Sequence, residues 1–333
     1  MSNIKTVVGI DVAKDTLAIS IYDGKIHQIT EFDYTKKSIN KELISKFKKE
    51  KDSVVFVLES TGVYHTKLAY QLYQNGFSVS VLNPFIIKKY AEMKLKRVKK
   101  DSVDSKLIAE YGYEYKEKIS FFKPKDDAVL HVDNLIKAID DLLSQKNTSS
   151  NQRHALKRQA QHSKEAVKSY DRHIKFINHE IEILETKLKE ILKTAFQTEH
   201  ELLTSIPGVG LKVSSMIIAV FNSFENFDNA KQACSFVGIC PSPYESGTSV
   251  KGRGSISKRG NTFARKILFM GALSAIQYNP PIRQQYLRLL ENGKCKMQAL
   301  VAALNKLLRQ AFGVLRSRIP FKADYLEISK VIG

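Results

Sequence analysis

Thr6-Val7-Val8-Gly9-Ile10-Asp11 is the stretch on which the fold turns. Its apolar run is too short for a helix and rich in β-branched residues, so it reads as a strand that ends on an acid. Working outward, residues 17–22 and 26–32 read as two further strands, with Asp23-Gly24 supplying the hairpin turn between them. A basic helical stretch over 39–50 follows, then a buried-type strand over 54–58, a helix over 64–75 and a strand over 78–82, which together make a β-α-β unit. Three meandering strands followed by alternating helices and strands match the ribonuclease-H-like α/β order. A dinucleotide-binding fold would open strand-helix-strand around a glycine-rich turn, and this chain does not.

In such a sheet the first strand and the strand over 54–58 are neighbours, so Asp11 and Glu59, each at a strand end, emerge side by side. Asp101 and Asp104 are three residues apart, the spacing that stacks two side chains on one face of a helix. Four acids gathered there would repel and raise one another's pKa unless a divalent cation compensated them, and Mg²⁺ is the hard, oxygen-seeking candidate. Each acid also has a structural explanation. Asp101 and Asp104 can cap a helix, Glu59 can precede a turn, and the competing acid Asp15 reads as a turn residue.

The chain has 333 residues, enough for two compact units and a connector. Lys and Arg outnumber Asp and Glu by 53 to 34, a formal charge of +19, which points to a polyanionic partner. Three cysteines without a Cys-x-x-Cys pair indicate neither a disulfide framework nor a zinc site. No segment has the length or apolarity of a signal peptide or a membrane span, so a soluble protein of a reducing cytoplasm is expected.

After residues 1–125, the pattern turns helical. Residues 128–145 read as one helix, and the polar run 145–151 reads as a loop that ends it. Val167, Tyr170, Ile174, Ile177, Ile181, Leu184, Leu188 and Ile191 then alternate steps of three and four. That heptad seam predicts a coiled-coil arm over 126–198, the alternative being an amphipathic helix packed within the monomer. Residues 199–333 form a third segment, mainly α. In it Ser205-Ile206-Pro207-Gly208-Val209-Gly210 ahead of a helical run has the look of a helix-hairpin-helix, in which Gly208 and Gly210 would let backbone N–H groups hold a phosphate; a plain helix connector is the alternative. The long glycine-rich loop from Cys240 to Asn261 carries Lys251, Arg253, Lys258 and Arg259, which with Arg265 make a candidate nucleic-acid surface. Ser242, Ser246, Ser249 and Ser255 all lie in that loop, and chemistry alone does not choose a nucleophile among them.

Gly9-Ile10-Asp11-Val12-Ala13-Lys14, Leu58-Glu59-Ser60-Thr61-Gly62 and Lys99-Lys100-Asp101-Ser102-Val103-Asp104-Ser105 together resemble the insertion-sequence 110 family of transposases, whose N-terminal domain is RuvC-like and whose metal site is four acids, D-E-D-D. The resemblance covers nearly the whole chain. It implies that Asp11, Glu59, Asp101 and Asp104 hold Mg²⁺ (Mn²⁺ as a substitute), and that Ser246, the serine before Gly247, is the nucleophile that forms a covalent phosphoserine with DNA. It further implies donor and target DNA as substrates, a structured noncoding guide RNA as partner, and a homo-oligomer, dimer or tetramer, through the coiled coil. The setting it implies is the nucleoid of a bacterial or archaeal cytoplasm.

Three other readings compete. A Holliday-junction resolvase or nuclease would use the four acids with water as nucleophile. A sugar-kinase or actin-like ATPase shares a first phosphate loop like Gly9–Ala13, but the chain has no second such loop and the wrong charge. A nonenzymatic RNA-binding protein would not need the acids at all. Tyr111, Tyr113 and Tyr115 suit base stacking, or else one packed helix face.

Overall fold

The computed structural model describes residues 4–60, 62, 64–94, 101–242, 245, 246, 250, 251, 255–257 and 260–323, without the side chains of 101–103, 241, 242, 245, 246, 250, 251 and 255. The chain forms two compact units, Met1–Pro124 and Lys125–Gly333.

The first unit is built on five strands, β1 (Thr6–Val12), β2 (Thr16–Tyr22), β3 (His27–Asp33), β4 (Val54–Glu59) and β5 (Ser78–Leu82), in the order β3-β2-β1-β4-β5. β1, β2 and β3 pair antiparallel, whereas β4 lies parallel to β1 and β5 parallel to β4. This is the ribonuclease-H-like arrangement expected from the element order. At the β2–β3 turn, Asp23 Oδ1 accepts from the N–H groups of Lys25 and Ile26, and Gly24 takes φ +95°. The first helical stretch starts earlier than the sequence suggests: Thr35 caps α1 (Lys36–Ile39) by accepting from the Ser38 N–H, and the helix widens into a π-helical turn over Asn40–Ser45.

The period-two pleat sends alternate residues of each strand to opposite faces. Val8, Ile10, Phe56 and Leu58 meet Leu43 and α2 (Tyr64–Gln74) through Leu68, Ala69 and Leu72. Val7, Val55 and Val57 meet α3 (Pro84–Met93) and α4 (Asp101–Glu114) through Ile87, Leu107 and Ile108.

The second unit is helical apart from short ladders. α5 (Asp127–Lys157) and α6 (Lys164–Ala195) form an antiparallel hairpin, marked by an Arg153–Asp171 ion pair at 2.5 Å and a Ser149–His173 hydrogen bond at 3.2 Å. The expected loop over 145–151 is wrong, because α5 runs through it unbroken. Ser149 is buried against α6, and Thr148 Oγ1 returns its hydrogen to the Ser144 carbonyl, so packing along one face overrides weak local helix propensity. The heptad seam is used within the chain. Ile177, Ile181 and Leu188 join a core with Val132, Ile136 and Ile139 of α5.

That core continues through α7 (Gln197–Thr204), α8 (Leu211–Phe221), α9 (Ala230–Val237), α10 (Thr262–Tyr278), α11 (Pro280–Glu291) and α12 (Lys296–Ser317), with Met216 and Ile217 of α8, Leu268 of α10 and Leu304 and Leu308 of α12 among its buried members. The described residues of the Cys240–Asn261 stretch include four short strands. β6 (Pro241–Ser242) pairs with β9 (Ser255–Ile256), and inside them β7 (Glu245–Ser246) pairs with β8 (Val250–Lys251), two nested antiparallel ladders. Among the described residues no helix is long and apolar enough to cross a membrane.

Candidate active site

Asp11 and Glu59 sit one residue beyond Ile10 and Leu58, the last of the aligned pairs along the parallel strands β1 and β4. Val7 and Val57 face α4, so by the same alternation Asp11 and Glu59 lie on the α4 side of the sheet, at the carboxyl ends of strands about 4.8 Å apart.

The direction of α4 follows from two glycines. A Cβ on Gly9 would stand 2.5 Å from the Ser105 carbonyl oxygen, and one on Gly112 would stand 2.9 Å from Val7 Cγ1. Ascending α4 therefore means descending β1. The N-terminal turn of α4, opened by Asp101 and holding Asp104, thus approaches the strand ends that carry Asp11 and Glu59. Asp15 lies in the exposed bend between β1 and β2, as expected for a turn residue.

Carboxylate oxygens alone suit a hard divalent cation. Among the described residues no three His, Cys, Asp or Glu side chains stand close enough to cage one, the Asp101 carboxylate lying outside them.

Two clasps hold α4 farther along. His27 of β3 bridges Ser20 at 2.9 Å through Nδ1 and Glu110 at 3.4 Å through Nε2, and its ring stacks on Tyr22 at 4.2 Å. Lys94 donates to Glu114 at 2.6 Å and holds that carboxyl below the usual range. The three tyrosines belong to this packing. Tyr111 stacks on Tyr115 at 4.7 Å, and the Tyr113 ring occupies the space a side chain on Gly24 would need.

In the second unit, Ser246 ends β7 opposite Val250, with Gly247 next in the chain. The base of the ladder is clamped: the Asn261 N–H donates to the Phe236 carbonyl, and a Cβ on Gly260 would lie 2.7 Å from the Val237 carbonyl carbon. Arg265 is part of this clamp, donating to the Val237 carbonyl at 2.7 Å. Lys251 lies on β8, whereas Arg253, Lys258 and Arg259 lie outside the described residues. α7 and α8 are joined by the turn with the two glycines. Gly208 takes φ +101°, and a Cβ there would meet Ala275 of α10 at 2.6 Å, so it packs the turn onto α10. Gly210, the residue before α8, faces open space.

Two family models match the chain. One, a DEDD-type IS110 transposase model, covers residues 8–160, and the other, described as Transposase IS116/IS110/IS902 family, covers residues 200–287. The chain belongs to the IS110 transposase family. A pilin gene-inverting protein of Moraxella bovis is 29% identical over 323 residues, 95% of this chain and 98% of that one. The transposase for insertion sequence element IS1111A of Coxiella burnetii is 24% identical over 337 residues, 92% of this chain and 88% of that one. Among solved structures, Thermus thermophilus RuvC in complex with a Holliday junction substrate aligns at 13% identity with a TM-score of 0.27, over 35% of this chain and 99% of that chain. As an IS110-type protein, this chain is a DNA transposase or recombinase.

Sequence reading of this transposase missed the residues that seat α4. Gly112 and Glu110 lie in a helix whose neighbours are unknown until the sheet is assembled. Gly9 carried a signal, a glycine inside a strand, which marks a bulge or a close backbone approach.

Proposed function

We propose that this transposase is RNA-guided and exchanges DNA strands through a covalent phosphoserine on Ser246, with Mg²⁺ held by Asp11, Glu59, Asp101 and Asp104. The observation that supports the reading is that Asp11 and Glu59 end adjacent strands on the face that α4 covers, while α4 runs opposite to β1, so that its Asp101–Asp104 turn lies toward those strand ends.

When bound there, Mg²⁺ would polarise the scissile phosphate. Ser246 Oγ forms a bond to phosphorus as the bond to the deoxyribose oxygen breaks. The hydroxyl proton passes to solvent, and the departing oxygen takes up a proton. The phosphoserine keeps the energy of the broken linkage, so an incoming DNA hydroxyl reseals the strand by the reverse step and frees the serine. The carboxylates and Ser246 belong to different units of the chain, which supports a composite centre. The formal charge of +19 supports the guide RNA alongside donor and target DNA. A dimer or tetramer assembled through the α5–α6 arm is supported by Phe176 and Ile183, seven residues apart on α6 and exposed.

Denaturing electrophoresis of end-labelled donor DNA incubated with protein, guide RNA and Mg²⁺ tests the chemistry. A protein-DNA adduct in wild type that vanishes in Ser246→Ala is expected. Cleavage without an adduct, retained in Ser246→Ala, would show that water is the nucleophile, as in a resolvase.

A further inference from the structure

A cleft of about 400 Å³ opens beside the C-terminal end of α12, outside the catalytic loop. Its floor is α12, from Lys306 to Ser317, and its far wall is the segment Ile319-Pro320-Phe321. That wall is built. Arg318 leaves the helix in the left-handed conformation at φ 57° and pairs with Glu199 at 2.6 Å, and the Phe321 N–H donates to Ser205 Oγ at 2.8 Å.

The chemistry of the cleft is mixed in one particular way. Phe321, Pro281 and Val314 give it apolar surface, and its charged lining residues are Lys306, Arg309 and Lys322, all cationic. Lys306 donates to the Pro281 carbonyl at 2.8 Å, and Arg309 to Asn305 Oδ1. Among the described residues no carboxylate pairs with any of the three cations. Burial and the nearby Arg288 charge push the Lys306 ammonium pKa down, the mark of a cation lacking a counter-ion.

Gly313 supplies a second observation. It lies inside α12, where glycine costs helix stability relative to alanine, yet a Cβ there would meet nothing within 4 Å. No close packing calls for a glycine. Gly313 lines the cleft and leaves that part of its floor without a side chain.

We propose that this cleft holds one unpaired nucleotide of a bound strand, its base against Phe321 and Pro281 and its phosphate on Lys306 and Lys322. The inference rests on the nucleic-acid reading above. Pockets that take small ligands have this volume and this pairing of apolar walls with a few polar anchors. A base stacked on an aromatic ring with its phosphate neutralised is the usual unit of single-strand recognition. The same chemistry comes from the RNA or from a DNA strand, so the probe must be made in both.

The test is binding, by fluorescence anisotropy of full-length protein with labelled duplexes that are either fully paired or carry one unpaired nucleotide, in RNA and in DNA. Wild type should prefer the bulged duplex in at least one of the two by about fivefold or more, about fivefold being the lower end of what stacking one base contributes. Gly313→Phe fills the cleft from an open position and should fold as wild type does. It should abolish the preference and leave paired-duplex affinity unchanged. Lys322→Glu should reduce the preference as well, and Gly313→Ala should keep it. Equal affinity of wild type for bulged and paired probes, or a preference that survives in Gly313→Phe, overturns the proposal. Failure to bind any probe would instead count against the nucleic-acid reading. A preference seen with RNA alone assigns the cleft to the guide, and one seen with DNA alone assigns it to the substrate.

Discussion

Gly9 of β1 and Ala109 of α4 meet backbone to backbone: a Cβ on Gly9 would stand 2.8 Å from the Ala109 Cα. The contact fixes how deeply α4 lies on the strand that leads to Asp11, and with it the approach of the Asp104 turn. Any side chain at position 9 lifts the helix from the sheet. Gly9→Ala is expected to cost about 1–3 kcal/mol of stability and to lower strand cleavage on the order of 100-fold, because placement errors near 1 Å cost that much. Gly112→Ala meets the methyls of Val57 and Val7, which can yield, and should lose less. Urea unfolding and cleavage assays on both variants check this; equal losses would show that the Gly9 contact is not special.

A composite centre makes a prediction about mixtures. Asp11→Asn and Ser246→Ala, each inactive alone, should recover cleavage when mixed if one protomer lends its acids to another's serine. A mixture as inactive as its components would place both halves of the centre in one chain.

Stability in the second unit should depend on pH through His200. Its Nδ1 meets Ser214 Oγ at 2.9 Å, tying α7 to α8, and burial holds its pKa below the ordinary histidine value. The unfolded chain therefore takes up the proton at higher pH than the folded one. The His200 contribution is intact above about pH 6.5 and is lost as pH falls toward the lower folded value. Urea midpoints at about pH 7.5 and about pH 5.5 should differ more for wild type than for His200→Gln. An equal drop in both would remove His200 from the account.

The unbroken course of α5 can be read from Asn147, an exposed position in its polar stretch. Asn147→Ala should stabilise by about 0.5 kcal/mol and Asn147→Pro destabilise by about 3 kcal/mol or more. In a loop both changes would be nearly silent, and denaturant midpoints tell the two cases apart.

The succession of strands along the chain, the hairpin at Asp23-Gly24 and the family motifs were legible in the sequence, because each depends on residues within a few positions of one another. Apolar runs set the strands, and Asp-Gly sets the turn. The polar residues 145–151 misled for the complementary reason. Their local preference is for a loop, and only the neighbouring helix, with His173 against Ser149, tips the balance.

The acids show the same division. The sequence by itself determined which carboxylates stand at strand ends and which open a helix, since element boundaries are local. Only the tertiary structure decided that α4 runs opposite to β1, with its N-terminal turn toward Asp11 and Glu59. That outcome depends on Gly9 and Gly112 letting a helix settle onto a sheet, a matter of excluded volume between segments about 100 residues apart.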